Sequence, residues 1–387
     1  MQPRLTVILP LKGRHLFTLR FLWHANRLQV PYRLLIADGQ VHPVVAELLE
    51  SSRNLFPNLD IEYIRYRDDA DFSRFFAKMS GALGHVRTPY AMLADNDDFL
   101  GIAGIDNAVS FLDAHSDYVC ARGRRVNFSI YAGLNNKDGG LRGRLDHLRL
   151  QRDGEDIHSP IAAERLRRGG LQFSVYYAVY RSADLATIWQ EVAEIDFSDL
   201  QLHEIFCTMR AMTFGKSRVD GSVVSYFRQD GTSLNSSWKT DSWVHHLVRS
   251  RFTSDVEAMV GRITASAEAA DREEEERIAE AVRSQIETNF SEMLSTMYGS
   301  LQQMKRAARR KIPKLSAWVK KRPHYFVRRD RTSVLRKLAR DGASSKSLEH
   351  FCDGLAQIEE VCSGDQFAGF IRPFLSMARS GSSRDWF

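Results

Sequence analysis

Short apolar runs alternate with longer segments of helical periodicity over about the first hundred residues of the chain. The run Leu5–Leu9 ends at Pro10, and the run Arg33–Ala37 ends at an Asp-Gly pair. Both runs are rich in Leu, Ile and Val, and their length is typical of buried strands. Between them, His15–Leu28 carries apolar residues at helical spacing. This part of the sequence therefore predicts a strand, a helix and a second, parallel strand.

The same alternation continues as far as Ala94 and predicts the fold class. Its members are the helices Val44–Phe56 and Phe72–His85 and the strands Ile61–Arg65 and Tyr90–Ala94. Strands that alternate with helices along a chain form a mostly parallel sheet with helices on both faces. We therefore expect an α/β fold.

The pattern becomes less regular after Gly104. A helix over Ile105–His115 and a strand over Tyr118–Arg122 precede Asn135–Gly154, whose glycines and arginines predict a mobile loop. Three more ordered segments are predicted, at Gln172–Arg181, Phe197–Met212 and Ser222–Arg228. Beyond these segments only helical patterns remain. We therefore expect an α/β domain over residues 1–239 and a helical carboxyl-terminal region over residues 240–387.

Composition fits a folded globular protein. Of the 387 residues, 43% are hydrophobic and 26% are charged, which are ordinary values for a globular chain. The four cysteines show no metal-binding spacing, so we expect a reducing, cytoplasmic location. No stretch has the length and apolarity of a signal peptide or a membrane span, so neither is expected.

The positive charge is concentrated in one segment. Lys305–Arg331 contains twelve basic residues and one acidic residue, interleaved with apolar and aromatic side chains. This amphipathic, cationic composition favours peripheral contact with an anionic membrane surface, such as the inner face of the cell membrane. Pairing with the acidic run Glu273–Glu276, or with a second copy in a homo-oligomer, is the alternative. A nucleic-acid partner is not expected.

Three aspartates follow the buried strand Tyr90–Ala94 within four positions: Asp95, Asp97 and Asp98. Parallel α/β sheets bind ligands at the carboxyl ends of their strands, so this cluster would lie at the binding edge. Crowded carboxylates repel one another, and a hard divalent cation such as Mn²⁺ or Mg²⁺ relieves that repulsion. A solvated acidic turn or a helix cap is the alternative.

Three sequence landmarks resemble those of the family-two-like GT-A glycosyltransferases. They are Val7–Pro10 with Arg14, then Leu35–Asp38, then Ala94–Asp98, in that order along the chain. The resemblance implies a GT-A, Rossmann-like fold. It also implies that residues 1–100 bind a nucleoside-diphosphate sugar and that residues 101–239 form the acceptor side.

The resemblance assigns roles to individual residues of the donor half. It implies that Asp38 binds the nucleotide base, that Asp95 contacts the ribose, and that Asp97 or Asp98 holds a divalent metal on the diphosphate. The remaining donor-binding residues that it implies are Pro10, Arg14 and Lys78.

Two later segments extend the resemblance. His203 and Glu204, followed by Arg210, are similar to the acidic pair and arginine of the family, which implies that Glu204 is the general base. One carboxylate that takes the acceptor proton is what an inverting sugar transfer needs. Asp199 is the reserve candidate for this role. Arg228 lies in a segment similar to the one that covers the diphosphate, where its charge suits the task.

The sequence therefore predicts a metal-dependent, inverting glycosyltransferase that uses a nucleoside-diphosphate sugar, with UDP favoured. The predicted acceptor is a hydroxyl group of a glycan or a lipid-linked molecule, as in bacterial surface polysaccharide synthesis. A nucleotidyltransferase is one alternative, although Leu11–Arg14 offers a single glycine where a phosphate-cradling loop would be glycine-rich. A non-catalytic scaffold at the membrane surface is the other.

Overall fold

The structure is a computed structural model of the chain. It describes residues 3–40, 44–51, 55–131, 140–151, 154–169, 176–230, 251–267, 269, 271–288 and 323–380. For residues 51, 169, 201, 323–330 and 376–380 it describes the backbone alone.

The amino-terminal half alternates strands with helices, as predicted. Its elements are β1 (Leu5–Leu11), α1 (His15–Arg27), β2 (Arg33–Asp38), α2 (Val44–Ser51), β3 (Asp60–Arg65), α3 (Phe72–Gly84) and β4 (Tyr90–Leu93). These four strands pair in parallel in the order β3, β2, β1, β4. The apolar residues of β1, β2 and β4 are buried on both faces of the sheet, which explains their continuous apolar runs, whereas those of the edge strand β3 are half-buried. The predicted α/β class is confirmed.

The second half extends the same sheet with mixed pairing. Its elements are β5 (Phe99–Leu100), α4 (Ile102–Ala114), β6 (Tyr118–Tyr131), β7 (Arg144–Leu150), α5 (Ala162–Gly169), β8 (Val179–Arg181), α6 (Ser182–Ile195), α7 (Leu200–Phe214) and β9 (Lys216–Gln229). Strand β8 joins β4 to β6 by antiparallel pairing, and β6 pairs in parallel with β9. The carboxyl end of β9 therefore belongs to the same sheet as the acidic segment after β4.

The prediction of a mobile loop over Asn135–Gly154 is wrong for residues 144–150, which form strand β7. This strand pairs antiparallel with β6 and buries Leu145, Leu148 and Leu150. The alternation was hidden because His147 adopts a left-handed conformation, with φ of 50°, which shifts the spacing of the apolar residues. The parts at residues 135–139 and 152–153 lie outside the described residues.

The carboxyl-terminal part is helical wherever the structure describes it, as predicted. Its helices are α8 (Phe252–Ser266), α9 (residues 272–288), α10 (Pro323–Arg340), α11 (Ser345–Ser363) and α12 (Asp365–Ser380). Phe351 of α11 stacks on Phe227 of β9 with ring centroids 6.2 Å apart, and Phe367 of α12 packs against Trp23 of α1 at 5.3 Å. Helices α10 to α12 thus extend the hydrophobic core beside the sheet.

Most of the predicted basic segment lies outside the described residues, at 305–322. Its contact with a membrane therefore stays a prediction. Among the described residues, no helix combines the length and apolarity needed to cross a bilayer.

Glycine at the start of α4 lets this helix approach β9 closely. A Cβ atom at Gly104 would lie 2.3 Å from the carbonyl oxygen of Val224, which is backbone and has little room to move. We expect Gly104→Ala to lower the free energy of unfolding by about 1–3 kcal/mol, because the added methyl overpacks this contact. The matched control is Gly261→Ala inside α8, where a Cβ atom would meet nothing within 4 Å. That control should gain about 0.5–1 kcal/mol in the same denaturation assay; equal effects at both sites would contradict the prediction.

Candidate active site

The acidic segment Asp95–Asp98 follows β4, at the carboxyl edge of the parallel strands. Backbone contacts fix its conformation: the Asp95 N–H donates to the hydroxyl of Tyr226 at 3.0 Å, and the Asp98 N–H donates to the Asp95 carbonyl at 3.3 Å. The amide of Asn96 donates to the hydroxyl of Thr18 at 3.0 Å and ties the segment to α1. The segment is therefore an ordered part of the sheet edge.

The carboxylates of Asp95, Asp97 and Asp98 crowd together. Each offers an oxygen atom, and these oxygens lie within 4.8 Å of one another. Burial, together with the negative charges of Asp97 and Asp95, raises the pKa of Asp98 well above its ordinary value. The Oδ2 atom of Asp98 is buried and accepts no hydrogen bond from the described residues. A buried, unsatisfied oxygen among repelling carboxylates is the donor set that a hard divalent cation fits.

Two arginines supply positive charge beside this cluster. Arg14 forms an ion pair with Asp97, its Nη2 lying 2.8 Å from Oδ2 of that residue, from the turn before α1, where its own φ of 60° is left-handed. Arg228, near the end of β9, interacts electrostatically with Asp95 and Asp98, and also with Glu204 of α7. An anionic ligand that approaches the cluster would therefore meet two cationic side chains.

A cavity of about 500 Å³ opens beside the acidic segment. Seven of the ten residues predicted from the sequence line it, and they are Pro10, Arg14, Lys78, Asp95, Asp97, Glu204 and Arg228. A volume of this size lies within the range of about 300–1,000 Å³ that is usual for small-molecule sites. The sequence landmarks, which span more than two hundred positions, thus converge on one cavity.

Glu204 lines the cavity and has a raised pKa. Burial raises its pKa to about 7, and the charge of Asp95 acts in the same direction, whereas Arg228 opposes the shift. A carboxylate with a pKa near neutrality is suited to accept a proton at physiological pH. This residue therefore has the properties of a general base.

Three of the predicted residues are absent from the lining of this cavity: Asp38, Asp98 and Asp199. The carboxylate of Asp38 accepts hydrogen bonds from the Tyr63 hydroxyl and, at 2.9 Å, from the Gln40 N–H. Asp199 caps α7, because its Oδ1 accepts from the N–H of Leu202 at 3.0 Å. Their proposed roles in base binding and proton transfer stay predictions.

Lys78 belongs to a buried ion pair that the sequence did not indicate. Its ammonium group donates to Oδ2 of Asp69 and, at 3.0 Å, to the carbonyl of Leu11. Both charged side chains line the cavity, and each is at most 2% exposed. The Oδ1 atom of Asp69 is buried without a hydrogen-bond donor among the described residues. Asp69 is therefore a further candidate to accept a hydrogen bond from a ligand.

Two stacked tyrosines, Tyr177 and Tyr226, support the acidic segment. Tyr177 donates from its hydroxyl to Oδ2 of Asp95 at 2.6 Å. Its ring stacks on Tyr226 with centroids 4.7 Å apart and an interplanar angle of 17°. The pair therefore holds both the carboxylate and the backbone of Asp95 in place.

Two residues near Glu204 in α7, His203 and Arg210, make contacts with other residues of the protein interior. His203 packs against the rings of Phe76 and Trp189, and burial lowers its pKa to about 3, so it is neutral. Arg210 donates to both carboxylate oxygens of Glu191, at 2.7 and 3.1 Å. Glu204 is thus the member of this helix with a charged side chain at the cavity.

No family model and no curated protein matches the sequence. Among solved structures, S. aureus TarS 1-349 in complex with UDP-GlcNAc gives a TM-score of 0.46 at 11% identity, covering 95% of this chain and 92% of that one. Mannosyltransferase PcManGT from Pyrobaculum calidifontis, in complex with GDP-Man and Mn²⁺, gives 0.39 at 11% identity, covering 83% and 84%. At this level of similarity, conclusions about chemistry have to come from the residues of this chain.

Proposed function

We propose that this chain is a metal-dependent glycosyltransferase that moves a sugar from a nucleoside diphosphate to an acceptor hydroxyl group, with inversion at the sugar carbon. One observation carries the proposal: a single cavity contains the carboxylates of Asp95 and Asp97, the cation Arg228, and Glu204, whose pKa is raised to about 7. The favoured donor is a UDP-sugar. The favoured acceptor is a glycan or a lipid-linked molecule of a surface polysaccharide pathway.

Each of these residues has a task in such a transfer. Glu204 takes the proton of the acceptor hydroxyl group as its oxygen bonds to the anomeric carbon and the bond from that carbon to the β-phosphate oxygen breaks. Arg228 and Arg14 offset the negative charge that accumulates on the departing diphosphate. A divalent cation held by Asp97 and Asp98 would add Lewis-acid stabilisation of the same charge. Asp95, held by Tyr177, is placed to accept a hydrogen bond from the ribose.

The nucleotide base is the part of the donor that Asp69 suits. Asp69 lines the cavity, its buried Oδ1 accepts no hydrogen bond from the described residues, and Lys78 neutralises its carboxylate. Uracil and guanine both present a ring N–H donor to such an oxygen, whereas the ring N3 of cytosine is an acceptor. Asp38 is buried against Tyr63, and its predicted contact with the base would require that hydrogen bond to be released.

A nucleotidyltransferase also uses metal-bound aspartates. Nucleotide binding alone would therefore not distinguish it from a glycosyltransferase. A nucleotidyltransferase has no need of a general base for a sugar acceptor, however, so the position of Glu204 favours sugar transfer. A non-catalytic scaffold would need neither the raised pKa of Glu204 nor the cationic lining.

Calorimetric titration with UDP, in the presence and absence of Mn²⁺, tests the proposal directly. We expect UDP to bind at least about tenfold more tightly with Mn²⁺, because the cation neutralises both the diphosphate and the aspartates. Hydrolysis of a UDP-sugar by the wild-type protein, at a rate that depends on Mn²⁺, would support sugar transfer specifically. Failure to bind UDP or GDP under either condition would overturn the proposal.

The acidity of Glu204 predicts how activity depends on pH. Glu204 acts as a base only when it is ionised, and its pKa is about 7, so turnover should rise with pH and level off above this value. The measurement is the pH profile of kcat with saturating donor and metal. Activity that is already maximal at pH 5 would show that another group takes the proton.

A further inference from the structure

Arg20 lies beneath the acidic segment, on the buried face of α1. Its guanidinium group is fully buried and donates to the carbonyl of Asp97 at 2.7 Å, to Oε1 of Gln229 at 2.8 Å and to the carbonyl of Leu141 at 2.9 Å. Its charged plane also lies 4.8 Å from the ring centroid of Phe99, just beyond the aspartates. A charged side chain at 0% exposure is costly unless its hydrogen bonds are made, so these contacts have a structural value beyond simple packing.

Gln229 completes this arrangement from the end of β9. Its backbone N–H donates to Oδ1 of Asp98 at 2.8 Å, and its side-chain amide donates to the carbonyl of Gly140 at 2.9 Å. Arg20 and Gln229 therefore contact the backbone of one predicted metal ligand and the carboxylate of the other. Neither side chain is among the residues that line the cavity.

A backbone hydrogen bond connects this arrangement of Arg20 and Gln229 to the carboxyl-terminal helices. The N–H of Gly143, just after the two carbonyls bound by Gln229 and Arg20, donates to the carbonyl of Cys362 in α11 at 2.8 Å. The segment at residues 140–143 is thus held from both sides. The carbonyl groups of Leu141 and Gly140 therefore hold the side chains of Arg20 and Gln229 in place.

We propose that Arg20 and Gln229 are positioning residues that set the geometry of the metal-binding aspartates. This inference rests on the proposed function, since it assumes that Asp97 and Asp98 hold a divalent cation. Arg20 acts through its hydrogen bond to the Asp97 carbonyl, and Gln229 acts through its hydrogen bond to the Asp98 carboxylate. Neither residue lines the cavity in which the sugar donor would bind. Residues that orient metal ligands from behind typically contribute about 10- to 100-fold to metal affinity.

The test compares Arg20→Lys and Gln229→Met with the wild-type protein. Lysine keeps the charge of Arg20 but replaces its two donor nitrogens with one. Methionine keeps the size of Gln229 and its backbone N–H to Asp98, but removes the amide that accepts from Arg20 and donates to Gly140. Mn²⁺ binding is measured from the electron paramagnetic resonance signal of free Mn²⁺, with Mn²⁺ alone and with UDP added. We expect about 10- to 100-fold weaker Mn²⁺ binding in each variant.

Arg165→Lys is the matched control. Arg165 is also a buried arginine that donates to backbone carbonyls, those of Met212, Thr213, Ser159 and Pro160. It is not among the cavity-lining residues, so its replacement should lower the Tm without changing the affinity for Mn²⁺. Comparison at matched Tm loss separates positioning from a general loss of stability.

The outcomes distinguish the inference from the proposed function. Wild-type affinity for Mn²⁺ in both folded variants would overturn the positioning role while leaving the proposed function intact. Equal weakening in Arg165→Lys would overturn it as well, because the effect would then follow stability alone. If Arg20→Lys does not fold, Gln229→Met decides by the same criterion. A wild-type protein that binds neither Mn²⁺ nor UDP with Mn²⁺ would overturn the proposed function and, with it, this inference.

Discussion

Glu204→Gln is expected to lower turnover by about 10²- to 10⁴-fold while the affinity for a nucleoside diphosphate is retained. Glutamine keeps the size and hydrogen-bonding capacity of the side chain, but it cannot accept the proton of the acceptor. The other charged residues that line the cavity, Arg228 and the aspartates, are unchanged. The measurements are kcat with a UDP-sugar and the Kd for UDP in the presence of Mn²⁺.

Asp199→Asn is the matched control for this prediction. Asparagine retains the oxygen that accepts from the N–H of Leu202, so the cap of α7 should persist. The substitution should therefore leave both turnover and UDP affinity near the wild-type values. If Asp199→Asn abolished turnover and Glu204→Gln did not, the reserve assignment of Asp199 as the base would be the correct one.

The donor half of the site could be predicted because its signals are local. An apolar run such as Tyr90–Ala94 indicates a buried strand, and a strand in an alternating pattern brings the residues that follow it to the carboxyl edge of the sheet. This rule alone predicts that Asp95 and Asp97 lie at the binding edge of the sheet. Pro10, which the resemblance implied as a donor-binding residue, lies near the end of β1 and lines the cavity.

The supporting contacts could not be predicted because they are non-local. Arg20 and Gln229 are 209 positions apart and meet only because β9 belongs to the same sheet as β1 and β4. Within the sequence, Arg20 is one of several polar residues of α1 and, as an arginine, would be expected to face solvent. Asp69 lies in a run of several charged residues after β3, where no local feature distinguishes the one that is buried.

The sequence also does not show whether Asp199 or Glu204 is the carboxylate that lies at the cavity. Asp199 and Glu204 are both acidic residues near the start of α7, and only the helix boundary separates a capping role from a place at the cavity. Helix boundaries are the least reliable part of such predictions, because capping depends on the conformation of one or two residues. In contrast, the neutral state of His203 follows from ring contacts made by α3 and α6, which are tertiary.

Asp97→Asn is expected to weaken the Mn²⁺-dependent binding of UDP by about 10²-fold or more, because it removes one ligand of the cation and the acceptor of Arg14 together. The thermal stability of the metal-free protein should hold or rise, since one charge leaves a crowded cluster of carboxylates. Asp98→Asn should have a smaller effect on UDP affinity, because its Oδ1 can still accept from the Gln229 N–H and its side chain does not line the cavity.

The two measurements for Asp97→Asn are the Kd for UDP with and without Mn²⁺ and the Tm without metal. The matched control is Asp113→Asn, which removes an aspartate of the same sheet domain that pairs with Arg4, away from the cavity. A cluster that binds metal predicts a large loss of affinity with little loss of Tm. A sharp fall in Tm with unchanged affinity for UDP would instead mean that Arg14 and Asp97 form a structural ion pair, and the divalent cation would then have to be bound elsewhere or not at all.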